Sequence, residues 1–164
     1  MKILVQQQKA LNMLDIAAKF VSKNSTLPIL QNIYLKASID SLLIRATDME
    51  KYVEIEIPCE VQIEGAITIN AKTFLDILKT IESENIELSV DQKTNIMTIK
   101  TPKDTFDING IAASEYVALP EVPQENSFVL DTLAFSKGID HVEYAVTEKS
   151  FSPVLTGVLM KTGK

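Results

Sequence analysis

The sequence predicts an α+β fold in which each domain is assembled from two βαβββ halves, with two helices packed on antiparallel sheets. Three observations lead there. Ile3, Val5, Leu14, Pro28, Leu30, Ile33 and Lys36 return as Phe128, Leu130, Ile139, Pro153, Leu155, Val158 and Lys161, each 125 residues later and without a gap, a period that means a duplicated domain. A finer repeat of 64 residues sets Ile3, Val5, Leu11 and Leu14 against Ile67, Ile69, Leu75 and Leu78. Between these landmarks, segments of period two alternate with two stretches of helical period, in the order strand, helix, three strands, used twice.

The first half opens with a strand over residues 2–5, followed by a helix with Leu11, Leu14, Ala17, Ala18 and Val21 on one side. Strands follow over residues 32–37 and 42–47, joined by a polar turn over 38–41. In the third, Val53, Ile55 and Ile57 alternate with Glu54 and Glu56, leaving one face wet and the other packed. The second half repeats the order: a strand over 66–69, then a helix with Phe74, Ile77, Leu78 and Ile81 on one side. Next come Ile86, Leu88 and Val90 alternating with Glu87 and Ser89, then strands over 96–100 and 105–108, with turns at 91–94 and 102–104. Pro120, Pro123 and Gln124-Glu125-Asn126 mark the boundary, giving a first domain over 1–125 and an incomplete second copy over 126–164. That copy is expected to hold a strand over 128–130, a helix over about 131–144, a strand over about 154–160 and a hairpin turn at Thr162-Gly163-Lys164. Its open sheet should expose apolar edges.

A chain of 164 residues is long enough for one sizeable core. No apolar run approaches the roughly 18 residues of a membrane span, and Gln6-Gln7-Gln8-Lys9 cuts off any signal-peptide core, so no membrane partner and a cytoplasmic location are expected. The single Cys59 cannot form an internal disulfide, in keeping with a reducing compartment. The net charge of −6 argues against a nucleic-acid binder taken as a whole, yet charge is segregated. Residues 6–24 carry Lys9, Lys19 and Lys23 against Asp15 alone, whereas residues 48–64 carry six acids against Lys51.

Little here could build an enzyme. His141 and Cys59 are the only residues of their kinds, and their plainer readings are a helix-surface histidine and a small buried hydrophobe. Asp48, Glu50, Glu54 and Glu56 lack calcium-loop spacing and read as a solvated sheet face; the glycines are too scattered for a phosphate loop. No catalytic residue, metal or cofactor is expected. On a helical wheel Lys9, Lys19 and Lys23 fall within roughly 80° of one another, with Asn12 on that face. Lys72 and Lys79 share the polar side of the second helix, although Asp76 lies between them. Charge alone leaves two readings open, an ordinary solvated face and a phosphate-facing surface.

Three ordered segments sharpen the choice: Thr26-Leu27-Pro28-Ile29-Leu30-Gln31-Asn32-Ile33, Ala46-Thr47-Asp48-Met49-Glu50 and Ile69-Asn70-Ala71-Lys72-Thr73-Phe74. Together they resemble the first domain of the bacterial DNA polymerase III sliding clamp, the β subunit. Ser152-Pro153-Val154-Leu155-Thr156-Gly157-Val158 resembles the matching stretch of its second domain. The resemblance implies the DNA-clamp fold and a non-enzymatic processivity factor. It implies a homodimeric ring around duplex DNA, with replicative polymerase, clamp loader and clamp-binding repair proteins as partners, and a chain that is an amino-terminal portion unable to close a ring alone. By the same resemblance Lys23, Asn24 and Lys149 lie in DNA-contacting loops and Lys72 is a further contact beside Lys9 and Lys19; the family often carries a basic residue where this chain has Asn24. Leu155 matches one wall of the partner-peptide pocket. The subunit interface falls on residues 100–108, with Lys103, Thr105, Phe106, Asp107 and Ile108 offering a polar and an apolar side. The alternative is an interaction scaffold of the same architecture that does not bind DNA.

Overall fold

Alternating apolar residues require each strand to turn one side inward, and the ten strands do so in two five-stranded antiparallel sheets. The computed structural model describes residues 1–22, 25–118, 129–147 and 149–161. The chain forms two compact units, Met1–Leu119 and Pro120–Lys164. In the first, β1 (Lys2–Gln6) leads into α1 (Gln7–Ala17), then β2 (Asn32–Ser38), β3 (Ser41–Thr47), β4 (Tyr52–Pro58) and a short β5 (Glu60–Ile63). The second half gives β6 (Gly65–Asn70), α2 (Ala71–Thr80), β7 (Asn85–Asp91), β8 (Ile96–Lys100), β9 (Thr105–Asn109) and a short β10 (Ile111–Ala112). Each strand-to-helix junction recurs at the 64-residue period, Gln6/Gln7 and Asn70/Ala71.

The halves are not separate sheets. One sheet has the order β5-β1-β7-β8-β9 and the other β10-β6-β2-β3-β4, so each half lends its first strand to the sheet of the other. Lys2 faces Ser89 and Gln6 faces Asn85 in the first exchange; Asn32 faces Asn70 and Ala37 faces Gly65 in the second. The two short strands, absent from the βαβββ expectation, close this arrangement. After β4 and after β9 a single residue, Cys59 or Gly110, carries the chain to the opposite sheet. At Gly110 a Cβ would lie 2.7 Å from the Thr68 carbonyl oxygen, too close for any larger residue.

One core fills the space between sheets and helices, with Ile3, Ile33, Leu35, Ile44, Ile67, Ile69, Phe74, Leu78, Ile86 and Leu88 buried in it. Helix α1 packs over β3 and β4, α2 over β9, and the helices pack on each other. They run antiparallel: the side-chain amide of buried Gln7, at the start of α1, donates to the Leu78 carbonyl near the end of α2 (2.8 Å). Helix α1 stops at Ala17, short of the expected stretch to Val21. Its exit tightens through Lys19 N–H to Ile16 O (3.1 Å) and Phe20 N–H to Ala17 O (2.9 Å), and Ser22 N–H then donates to Leu30 O (2.9 Å).

On the outer side of the second sheet, Tyr34, Arg45 and Glu54 face one another across β2, β3 and β4. The Arg45 guanidinium lies 5.8 Å from the Tyr34 ring centre and bonds Glu54 at 2.5 Å. Tyr116 covers this ladder, its ring 5.5 Å from that of Tyr34 and its hydroxyl directed at the Arg45 carbonyl (3.4 Å). Burial pushes the Tyr116 phenol up to about 12, against smaller opposing pulls from a backbone hydrogen bond at Thr47 and from the Arg45 charge.

In the second unit α3 spans Thr132–Asp140 and a 3-10 turn follows at Glu143–Ala145, so the helix expected over 131–144 breaks after Asp140. The strand expected over 154–160 is not formed. Pro153–Thr156 is a 3-10 turn, as is its counterpart Pro28–Gln31 in the first copy. The strand expectation began one turn too early, and residues 157–161 have, among the described residues, no flanking strands of the kind that pair with β2 in the first copy. Val129 and Leu130 are likewise not in a strand, while Phe128, the 125/126 boundary and the turn at 162–164 lie outside the described residues.

Two outcomes test this packing. Leu78→Ala should lower the urea-unfolding free energy by about 2–5 kcal/mol, and Gln7→Ala, which removes only the inter-helix bond, by about 1 kcal/mol. Because the folded state holds the Tyr116 proton more tightly than the unfolded chain, whose phenol titrates near 10.0, that contribution is complete below pH 10 and is lost as pH rises toward 12. Tyr116→Phe should abolish this alkaline loss in pH-dependent denaturation and remove the latest step of the phenolate absorbance titration.

Candidate nucleic-acid interface

Helix electrostatics favour acids in a first turn and bases in a last one. Neither α1 nor α2 has an acid in its first turn, and each carries an exposed lysine there instead, Lys9 and Lys72. Both sit where the helix dipole disfavours a cation, so helix electrostatics do not account for their placement. Lys79, in the last turn of α2, is explained by the helix dipole alone.

The first turns are held differently. The Asn70 side chain caps α2 by accepting from Thr73 N–H (3.0 Å), and in the second unit Asp131 caps α3 in the same way through Ala134 N–H (2.8 Å). Gln6 occupies the corresponding place before α1 without a side-chain cap; there Gln7 N–H donates to the Glu84 carbonyl at 2.9 Å.

Because the helices are antiparallel, Lys9 lies at the end of the pair shared with Lys79, and Lys72 at the end shared with the exit of α1. The latter end forms a cleft of about 480 Å³ lined by Ala18, Val21, Ser22, Asn70, Lys72 and Leu75 among others. Lys19 follows the end of α1 rather than continuing its face, so the wheel that grouped Lys9, Lys19 and Lys23 extends beyond the helix. Its ammonium lies 3.4 Å from Asp15, an exposed pair of the kind that contributes little and can yield to another anion. No ion pair involves Lys9, Lys72 or Lys79 among the described residues. Lys23 and Asn24 lie outside the described residues, and Lys149 is exposed in the second unit, its carbonyl accepting from the Thr147 hydroxyl (3.0 Å).

The acids gather on β4 and its hairpin, where several are bonded internally. Glu54 meets Arg45, Glu56 accepts from the Ser41 hydroxyl (2.5 Å), and Asp48 pairs with Lys51. The Lys51 ammonium and backbone amides of the turn hold the Asp48 carboxyl down to about 2.

Of the interface residues, Thr105, Asp107 and Lys103 are exposed, and β9 is an outermost strand whose far edge has no strand partner among the described residues. The apolar side is not free, contrary to expectation: Ile108 is buried and Phe106 packs against the core, because α2 covers β9. Leu155 is 58% exposed on the Pro153–Thr156 turn. It does not line the apolar cleft of about 550 Å³ between Phe135, Ile139, Val142 and Val158 to Met160 in its own unit. Burial, reinforced by the Asp40 charge, raises the Cys59 thiol, the reverse of what a nucleophile needs. No metal-ligand cluster occurs among the described residues.

The sequence reading missed Gln7, whose burial at a strand-helix junction has no local signal. The cap at Asn70 was legible as an Asn three residues before Thr73.

Comparison with known proteins accords with this geometry. The beta sliding clamp of Bacillus subtilis is 30% identical over 169 residues, 98% of this chain and 44% of that protein. The Staphylococcus epidermidis clamp is 27% identical over 166 residues, 96% and 44% of the two. The chain thus spans less than half the length of these relatives. Among solved structures, the Bacillus subtilis sliding clamp superimposes with a TM-score of 0.87 at 27% identity, over 96% of this chain and 43% of that one. A Helicobacter pylori clamp bound to a DNA ligase peptide shares the fold, with a TM-score of 0.84 at 24% identity over 93% and 42%. Residues 1–120 match the family described as DNA polymerase III beta subunit, N-terminal domain, and the chain belongs to that family.

Proposed function

We propose that this chain supplies the first arc of a ring-shaped sliding clamp that encloses duplex DNA and tethers the replicative polymerase without reading sequence. The observation that carries the reading is the pair of lysines, Lys9 and Lys72, in first turns that lack acids, on two antiparallel helices of a family member. Lysines on helices and acids on a sheet edge give the acidic molecule one surface suited to a polyanion. Contacts of this kind bind phosphate, carry no sequence information and permit sliding, so retention comes from closure of the ring and not from affinity.

In this reading the activity is topological and non-enzymatic, in the cytoplasm of a bacterial cell. Lys9, Lys19, Lys72 and, across the loops, Lys23, Asn24 and Lys149 face the duplex. The outer edge of β9, with Lys103, Thr105 and Asp107, meets the partner subunit of a homodimer through backbone pairing and polar side chains, while Phe106 and Ile108 hold the strand to its own core. Leu155 contributes to a pocket for peptides of the polymerase, clamp loader and repair proteins, and its exposure is compatible with that role. In this reading the first clamp domain ends near residue 125, a few residues past the division between the two compact units, and 126–164 begins a second clamp domain.

Salt-titrated binding of a fluorescent duplex by this chain tests the helix surface. Lys9→Ala and Lys72→Ala should each lower the slope of log K against log salt by about 0.9, whereas Lys36→Ala on the sheet side should leave it unchanged. Unchanged slopes in both helix variants would leave the non-DNA scaffold as the better reading. For a closed ring containing this chain, linear DNA should be lost far faster than circular DNA; equal rates would rule out encirclement.

A further inference from the structure

We propose that the free edge of β5, together with the turn that joins β2 to β3, docks an extended polypeptide segment bearing lysine or arginine beside apolar side chains. The site is separate from the helices and from the β9 edge, and stands on its own observations. Among the described residues β5 is outermost in its sheet and has β1 as its one strand partner, with β2 of the other sheet passing near it, so its other side has no strand partner. Glu60–Ile63 lacks the lysine or proline that commonly blunts such an edge; it is blunted instead by its shortness and by the negative charge of Glu60. It presents Ile63, 59% exposed, beyond the register shift between Lys2 and Ile3.

The adjoining turn is unusual in the same direction. Ile39 and Asp40 form the two-residue link between Ser38 and Ser41, where asparagine or glycine is the ordinary choice. Ile39 instead holds a β-branched side chain at φ 54° and leaves it 81% exposed, so neither backbone preference nor burial in the chain accounts for it. The turn is fastened to both ends of β5. Cys59 N–H donates to the Asp40 carbonyl (2.9 Å), and Ile39 N–H donates to Glu64 Oε1 (2.9 Å). An exposed, strained isoleucine is thereby tied to Glu64, the residue that follows the exposed Ile63.

Charge selects the occupant. Asp40, Glu60 and Glu64 are exposed around these isoleucines, and none is in an ion pair among the described residues. A segment added to β5 would satisfy its backbone through strand pairing, place apolar side chains toward Ile39 and Ile63, and set cationic side chains against the carboxylates. An acidic segment would be repelled by the same three groups.

The test uses the 164-residue chain with a synthetic peptide alternating lysine and valine, followed by amide shifts and hydrogen exchange. Binding should shift residues 39–40 and 60–64, protect the outward amides of β5 and weaken with salt. Ile63→Ser should weaken it by about fivefold or more, and the double variant Glu60→Lys/Glu64→Lys should abolish it. Ile39→Asn should also weaken it without lowering the unfolding midpoint, because asparagine tolerates this backbone conformation. Equal binding of a glutamate-valine peptide would overturn the proposal. So would changes mapping only to the second unit, or an Ile63-dependent dimer without peptide, which would make a second copy the occupant.

Discussion

Strand β1 finds its neighbours far along the chain, with β7 on one side and β5 on the other, and β6 in turn stands between β2 and β10. This exchange of first strands is the constraint on which the rest depends. A half taken alone would have three consecutive strands and a helix but a sheet lacking its inner partner, with apolar residues such as Ile3 or Ile67 deprived of a core. Exchanged, the two halves bury these residues completely and share one core. The same crossing places the two strand-helix junctions so that α1 and α2 lie antiparallel, which is what Gln7 secures by reaching the Leu78 carbonyl.

Charge is arranged on that frame by separation. Among the described residues, Arg45 and Lys51 partly neutralise Glu54 and Asp48 and the Ser41 hydroxyl donates to Glu56, whereas Lys9 and Lys72 are left without ion pairs on helix ends that already carry partial positive charge. An acidic protein can in this way keep a basic surface without a basic composition. In the proposed DNA-facing arrangement the same segregation would keep the acidic sheet edges electrostatically apart from the polyanion.

The strands of the first unit were legible because alternation such as Val53-Glu54-Ile55-Glu56-Ile57 reports a half-buried sheet directly, and the 64-residue repeat exposed the symmetry of the halves. Partner choice was not legible: nothing in Lys2 to Gln6 says that β7 rather than β2 will lie alongside, since periodicity fixes a face and not a neighbour. Short strands β5 and β10 escaped for the same reason, being defined by pairing more than by pattern. In the candidate interface, residue types and helix placement were readable, yet the end of α1 at Ala17 depended on Ser22 binding Leu30, a tertiary contact that moved Lys19 off the helix. The second unit shows the limit most plainly, because Val158 and Leu159 have strand-forming side chains without strand neighbours among the described residues.

The exchanged strands also impose an order in time. Lys2 meets Ile63 of β5 on one side but must wait for Ser89 of β7 on the other, and the sheet that holds β1 is not finished until β9 joins β8. During synthesis the amino-terminal strand leaves the ribosome with its apolar side uncovered, while β2, β3 and β4 can zip locally behind it. Closing such a long loop before any reward is gained slows folding. The nascent chain therefore passes through a stage in which half of its architecture is in place and its first strand is still an exposed edge, the period in which a chaperone has the most to protect.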